Sequence, residues 1–285
     1  MKLLDLKSQK NNEIFSKIVM TIVMGIFGFA MVLPFLWMLS ASFKHSMDIF
    51  KFPIDWIPSN PRLENYTTVW LNKSYPFYLF FFNSLKVAVL SILGLLFVSS
   101  TAAYAFAKID FKGKNIIFLI YLATMMIPAQ ATLVPRFAIF KVLGIYDTHW
   151  ALIIPASFNI VGMFMLRQFF ISIPNELSES AKIDGAGYIR IWWQIILPLA
   201  KPALLSLVIL GFVWSWNDYT NALIFLVTKE NYTIPIGLQA FMEDDMTQYN
   251  LIMTGATCAI LPIIVLFLFC QKYFIKGIAT SGIKG

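Results

Sequence analysis

The chain has 285 residues, 59% of them hydrophobic and only 13% charged, with a formal net charge of +7. A soluble domain of this size carries about 25% charged residues, so this composition leaves little length for a soluble catalytic domain and points to a lipid-facing surface. The basic residues are scattered among short loops and form no stripe, which argues against nucleic acid and for loop charge that sets membrane topology.

Apolar runs of about 20 residues mark transmembrane helices, and six occur. The first, Ile18 to Leu39, is longer than the apolar core of a signal peptide, and Ser40-Ala41-Ser42 is a weak cleavage-site resemblance. A long segment rich in Pro, Trp and Asn follows, from Ser42 to Phe77. The second span is Tyr78 to Ala105 and contains Lys86, which can snorkel toward an interface. The third and fourth are Ile116 to Val134 and Trp150 to Phe170, and the fifth is Ala203 to Val227 with Asp218 near its outer end. Ile224 to Asn250 then forms a loop carrying Glu230, Glu243, Asp244 and Asp245, before the sixth span, Leu251 to Phe269. With the amino terminus inside, cytoplasmic segments hold 14 Lys and Arg against 7 outside, so both termini are expected in the cytoplasm.

Several chemistries lack their residues. Cys258 and Cys270 lie twelve positions apart on one helical run, about 18 Å, too far for a disulfide within it. His45 and His149 fall in different loops and give no support to a metal site. No G-x-x-x-x-G-K-[ST] or G-x-G-x-x-G loop is present to cradle phosphates. Lys86 and Asp218, with Arg167 near the inner end of the fourth span, are the charged residues inside the spans, and the single acid is fewer than a proton-driven carrier normally needs. Uphill transport would therefore draw on a partner or an ion gradient.

The stretch ESAKIDGAGYIRIWWQIILP, Glu179 to Pro198, breaks the apolar pattern on the cytoplasmic side. Ser172, Pro174 and the early acids Glu176 and Glu179 suit a helix start. Gly185 and Gly187 suit a sharp turn. A second amphipathic helix, about Tyr188 to Ile196, puts Ile191, Trp192 and Ile195 on one face, with Pro198 ending it and Pro202 opening the next span. These features fit a hairpin resting on lipid headgroups or a handle for another protein.

The spacing goes further. Glu179-Ser180-Ala181, three residues, Gly185, nine residues, Ile195, one residue, Leu197-Pro198 resembles the E-A-A, x3, G, x9, I-x-L-P loop of ABC-importer permeases, with Ser180 where Ala is usual. Ile173 to Leu177, Trp216-Asn217-Asp218 and the ending Lys276-Gly277 through Ile283-Lys284-Gly285 resemble the smaller six-span subunit of the maltose-type sugar permeases. The resemblance covers nearly the whole chain.

It implies an all-α integral membrane protein, one transmembrane permease domain over residues 1–285, in a bacterial cell membrane. It also implies the partners: a second permease, two cytoplasmic ATPase subunits that bind the ATP and Mg, and an external solute-binding protein. No cofactor is expected on this chain. Glu179, Ser180, Ala181, Asp184, Gly185, Ile195, Leu197 and Pro198 become expected ATPase-coupling residues, and Gly282, Ile283, Lys284 and Gly285 a second ATPase contact. Sugar sites pair aromatic faces with amides and carboxylates, so Gln130, Asn159, Trp214, Trp216, Asn217 and Asp218 are substrate-pathway candidates. For the tryptophans an aromatic belt at the membrane interface is the alternative. The expected solute is a sugar or oligosaccharide. The rivals are an ABC permease for a polyol or glycerol phosphate, and an ion-coupled carrier.

Overall fold

Helices supply all the regular structure among residues 2–244 and 248–282, the residues that the computed structural model describes. A chain this apolar has to satisfy its backbone polar groups internally, and helices do so within each segment. Two units form, one within Met1–Val69 and Asp245–Cys258, the other within Trp70–Asp244 and Ala259–Gly285.

In the first unit α1, Lys2–Ser42, carries the first apolar span over Ile14–Ser42. Every residue from Ile14 to Val32 is exposed, as expected of a helix that is apolar all round and meant for lipid. The segment after it contains a short helix α2, Glu64–Trp70, instead of being wholly irregular. Asn65 ties this region together. Its Nδ2 donates to the carbonyls of Ser42 at 2.8 Å and Lys44 at 2.9 Å, and its Oδ1 accepts from Asn250 Nδ2 at 3.0 Å. The hydroxyl of Thr254 also donates to the Ser42 carbonyl, at 3.1 Å. Ser42 and Thr254 are fully buried, and buried polar groups need such partners.

The second unit is organised around α3, Phe77–Lys108, the second span. After it come α4, Lys114–Ala123, and α5, Leu133–Val142. Then follow α6, Trp150–Ser157, and α7, Ile160–Ser172, which together make the fourth span. α3 packs against α6, α7 and the later α10, Lys201–Trp216. A Cβ at Gly94 would sit 2.1 Å from Ser157 Oγ, so glycine is what lets α3 approach α6 so closely. Leu95, Ala103, Met163, Leu166, Phe170 and Leu207 form the buried seam between these helices.

Three predicted spans are not single straight helices. Ile116 to Val134 is broken: Lys114–Met126 and Ala129–Val142 meet at 96° around Ile127 and Pro128. Proline supplies no N–H and keeps the preceding residue out of helical geometry. Trp150 to Phe170 breaks at Phe158, and Asn159 restarts the helix by accepting from Gly162 N at 2.9 Å. Ala203 to Val227 stops at Asn217, and α11, Tyr219–Phe225, follows with Asp218 as its cap. At its other end, Tyr188–Leu199 meets Lys201–Trp216 at 80°. By length and composition, four helical segments suffice to cross a membrane among the described residues, and counting each bent pair as one span gives up to six.

The stretch read as a loop from Ile224 to Asn250 contains α12, Ile234–Asp244. The chain before it is clasped by Asp147, whose carboxylate accepts from the backbone N–H of Val227 at 2.8 Å and of Thr228 at 3.0 Å, and from the Thr228 hydroxyl. Asp147 sits at φ 57°, a left-handed conformation that a short polar side chain tolerates. The last helix, α13, runs Tyr249–Gly282 and contains the sixth span, Tyr249–Gln271.

Candidate functional site

The polar stretch after α7 is a helix, an elbow and a second helix. α8, Asn175–Ile183, begins after Pro174 with no side-chain cap from Ser172 or any other residue. Instead Lys108, at the end of α3, donates from Nζ to the Ile173 carbonyl and, at 2.7 Å, to Asn175 Oδ1. The start of α8 is thus pinned to the end of the second span, a link that no local pattern discloses.

Gly185 ends α8. It sits at φ +81°, and two bonds close the turn in a Schellman arrangement: Ala186 N–H to Ala181 O at 2.8 Å and Gly185 N–H to Lys182 O at 3.0 Å. A residue with a side chain resists that φ. The helix α9, Tyr188–Leu199, follows. Its middle, Trp192–Ile196, is a π turn, and the Leu197 N–H reaches back to Trp192 O. Pro198 therefore does not end the helix, which continues to Leu199. Its missing N–H and its ring, which would crowd the carbonyl four residues back, are accommodated by the wider turn before it.

The π turn also resets the buried face. Ile191 and Ile196 are fully buried, with Trp192 and Ile195 half-buried, against Met163, Leu166, Phe170 and Leu207. Ala181 and Ala186 pack at the edge of that cluster, and Leu197 joins it. The other face is bare. Glu179, Ser180, Lys182 and Asp184 are exposed, as are Leu177, Ile183, Tyr188, Ile189 and Trp193. Ile183 and Ile189 keep 87% and 79% of their surface. Of the expected coupling residues, Glu179, Ser180, Asp184 and Pro198 face outward and Ala181, Ile195 and Leu197 inward, with Gly185 as the elbow. Gly282 closes α13, and Ile283, Lys284 and Gly285 lie outside the described residues.

A separate cavity of about 570 Å³ opens among α3, α5, α6, α10 and α11. Asn159, Trp214, Asn217 and Asp218 line it together, joined by Ser91, Arg136, Tyr219 and Asn221. Asp218 Oδ1 accepts from the Asn221 N–H at 3.2 Å, and Asn221 Nδ2 donates to both Asp218 oxygens at 2.9 Å. Arg136 Nη2 donates to Asn221 Oδ1 at 2.9 Å, with its guanidinium 5.4 Å from the centre of the Phe225 ring. Arg136 and Asn221 escaped the sequence reading because Arg136 looked like one more external loop charge. The Pro128 break, which turns α5 back toward α11, was the available signal.

Two candidates fall away from this cavity. Trp216 is 2% exposed; its Nε1–H donates to Ala259 O at 2.9 Å and its ring stacks on Phe212. It is a core residue, because two positions turn it about 200° round α10 from Trp214, to the packed side, while Trp214 lines the cavity. Gln130, in the exposed one-turn helix Ala129–Thr132, is not among the lining residues.

Comparison with known proteins matches residues 97–280 to the family described as binding-protein-dependent transport system inner membrane component. The chain is 38% identical to the probable ABC transporter permease protein YurM of Bacillus subtilis (strain 168), over 90% of this chain and 85% of that protein. It is 34% identical to the arabinooligosaccharides transport system permease protein AraQ of the same organism, over 94% and 96%. A crystal structure of a bacterial ABC transporter involved in the import of the acidic polysaccharide alginate contains a chain of the same fold. Its TM-score is 0.81 at 24% identity, covering 93% of this chain and 98% of that one.

Proposed function

This chain belongs to the family of binding-protein-dependent transport system inner membrane components, and we propose that it is the permease subunit through which a separate ATPase drives uptake of an oligosaccharide. The observation that carries the driving role is the two-faced segment from α8 to α9. One face is locked into the span bundle by Ile191 and Ile196, while the other offers Glu179, Ile183 and Ile189 with nothing packed on them. Large apolar side chains bared beside charges mark a protein contact. A rigid segment fixed to the spans transmits a push on its outer face to the spans themselves.

In this reading two ATPase subunits bind ATP and Mg, and a second permease completes the pore. A solute-binding protein delivers the ligand from outside, and both termini of this chain are cytoplasmic. ATP-driven closure of the ATPases moves the α8–α9 segments and so exchanges inward-facing and outward-facing arrangements. Gly282 to Gly285 would give the ATPases a second contact. AraQ supports an oligosaccharide as the solute, and the cavity's mixture of amides, a carboxylate and the Trp214 ring supports hydroxyl-rich ligands.

The test is reconstitution of the complete importer in proteoliposomes. Uptake should require ATP, and Glu179→Lys should lower it at least several-fold with membrane insertion intact. Uptake that persists without ATP, or wild-type uptake by Glu179→Lys, overturns the coupling role.

A further inference from the structure

We propose that Arg136, Asn221 and Asp218 form a charge-neutral wall by which this chain selects uncharged, hydroxyl-rich glycans and rejects phosphorylated or carboxylated solutes. The inference rests on the oligosaccharide reading above and deepens it to a specificity-determining site in this subunit.

Arg136 and Asp218 are the charged residues lining the cavity, one of each sign. Asn221 joins them, accepting from the guanidinium and donating to both carboxylate oxygens. An entering anion gains from Arg136 but meets Asp218 two hydrogen bonds away, so its net attraction is small. Asp218 is also the cap of α11 and accepts from the Asn221 N–H, which fixes its carboxylate at the cavity wall.

Polar capacity for a neutral ligand remains. Ser91 is 3% exposed and lines the cavity, yet its hydroxyl has no partner among the described residues. The Arg136 Nε–H is likewise buried and unpartnered. Both atoms lie behind the cavity surface, so the groups within a ligand's reach are those of the exposed lining residues Asn217, Tyr219 and Thr220. Trp214, 40% exposed at the opening, offers the flat apolar face on which a sugar ring rests. A volume of about 570 Å³ lies within the roughly 300–1,000 Å³ range of small-molecule sites.

The test uses the complete permease–ATPase complex in nanodiscs without the solute-binding protein, so that selection upstream is removed. The probes are labelled arabinotriose, which is neutral, and trigalacturonate, which is anionic. Wild type should bind arabinotriose and prefer it over trigalacturonate by about tenfold or more. Asp218→Asn, which leaves Arg136 unopposed, should lower that preference about tenfold or reverse it. Arg136→Gln should weaken arabinotriose binding, Arg136→Lys should keep the preference, and Arg136→Gln with Asp218→Asn should recover neutral-sugar binding. Recovery by the double variant separates a charge effect from misfolding. An unchanged preference in Asp218→Asn, or equal binding of both probes by wild type, overturns the proposal. Such a result leaves the transport reading standing if reconstituted uptake still needs ATP. Failure of wild type to bind either probe overturns the selectivity proposal, and ATP-independent uptake with selective binding intact overturns only the coupling role.

Discussion

Gly185 offers a graded test of the elbow between α8 and α9. It holds φ +81°, and an added Cβ would meet nothing within 4 Å. Any effect of alanine there is therefore a backbone effect and not a clash. A left-handed conformation costs an L-residue roughly 1–2 kcal/mol, so Gly185→Ala should reduce the population of the formed elbow about 5- to 30-fold. Asn tolerates this region and should lose much less. Proline cannot reach the angle and also removes the N–H that bonds Lys182 O at 3.0 Å. That adds about 1 kcal/mol for the bond to the backbone penalty. ATP-driven uptake of labelled arabinotriose by the reconstituted importer should then fall in the order Gly, Asn, Ala, Pro. Membrane insertion should stay constant across the series, because Ile191 and Ile196 still anchor α9. A Gly185→Pro variant with the wild-type uptake rate would refute the elbow's role in coupling, as would equal losses in Asn and Pro.

Three further outcomes follow from the packing and the charges. Gly94→Ala should cost about 1–3 kcal/mol by overpacking against Ser157, and Ser157→Gly in the same chain should restore much of the thermal midpoint. Trp216→Ala should lower the melting temperature strongly, by about 3–5 kcal/mol of stability, whereas Trp214→Ala should weaken glycan binding with a near-normal midpoint; the reverse pattern would exchange their roles. Burial pushes His149 below its usual range, and that loss outweighs the bond to the Asn231 carbonyl. For Asp147, burial alone would raise the carboxyl, but hydrogen bonds from Thr228, Val227 and Asn231 outweigh it and hold it low. Both folded values lie below the unfolded ones, so both contributions are present at neutral pH and lost on acidification. His149 loses its share as pH falls below about 6.5, and Asp147 only below about 3.9. His149→Gln should flatten the melting curve against pH in the upper window and leave the lower one, read by thermal unfolding in nanodiscs.

Much of this protein follows from its sequence. Hydropathy picked out the long apolar helices Ile14–Ser42, Phe77–Lys108, Trp150–Ser172 and Tyr249–Gln271, because apolar length is a local property that lipid reads directly. The Glu179 to Pro198 spacing picked out a helix, a glycine elbow and a second helix, since caps, glycine and proline act within a few residues of themselves. Where prolines and asparagines sit inside apolar runs, local reasoning was weaker. Pro128 and Asn217 break spans that composition alone would continue, and Pro198 is absorbed by a π turn where a stop was expected. Tertiary structure alone decided the partners across long separations. Lys108 holds the start of α8 from 65 residues away, and Arg136 meets Asn221 across 85. Trp214 and Trp216, two positions apart and chemically identical, were divided between a cavity and the core by the packing of α10. Such choices depend on which neighbour fills the space beside each side chain, and a sequence fixes those neighbours only by folding.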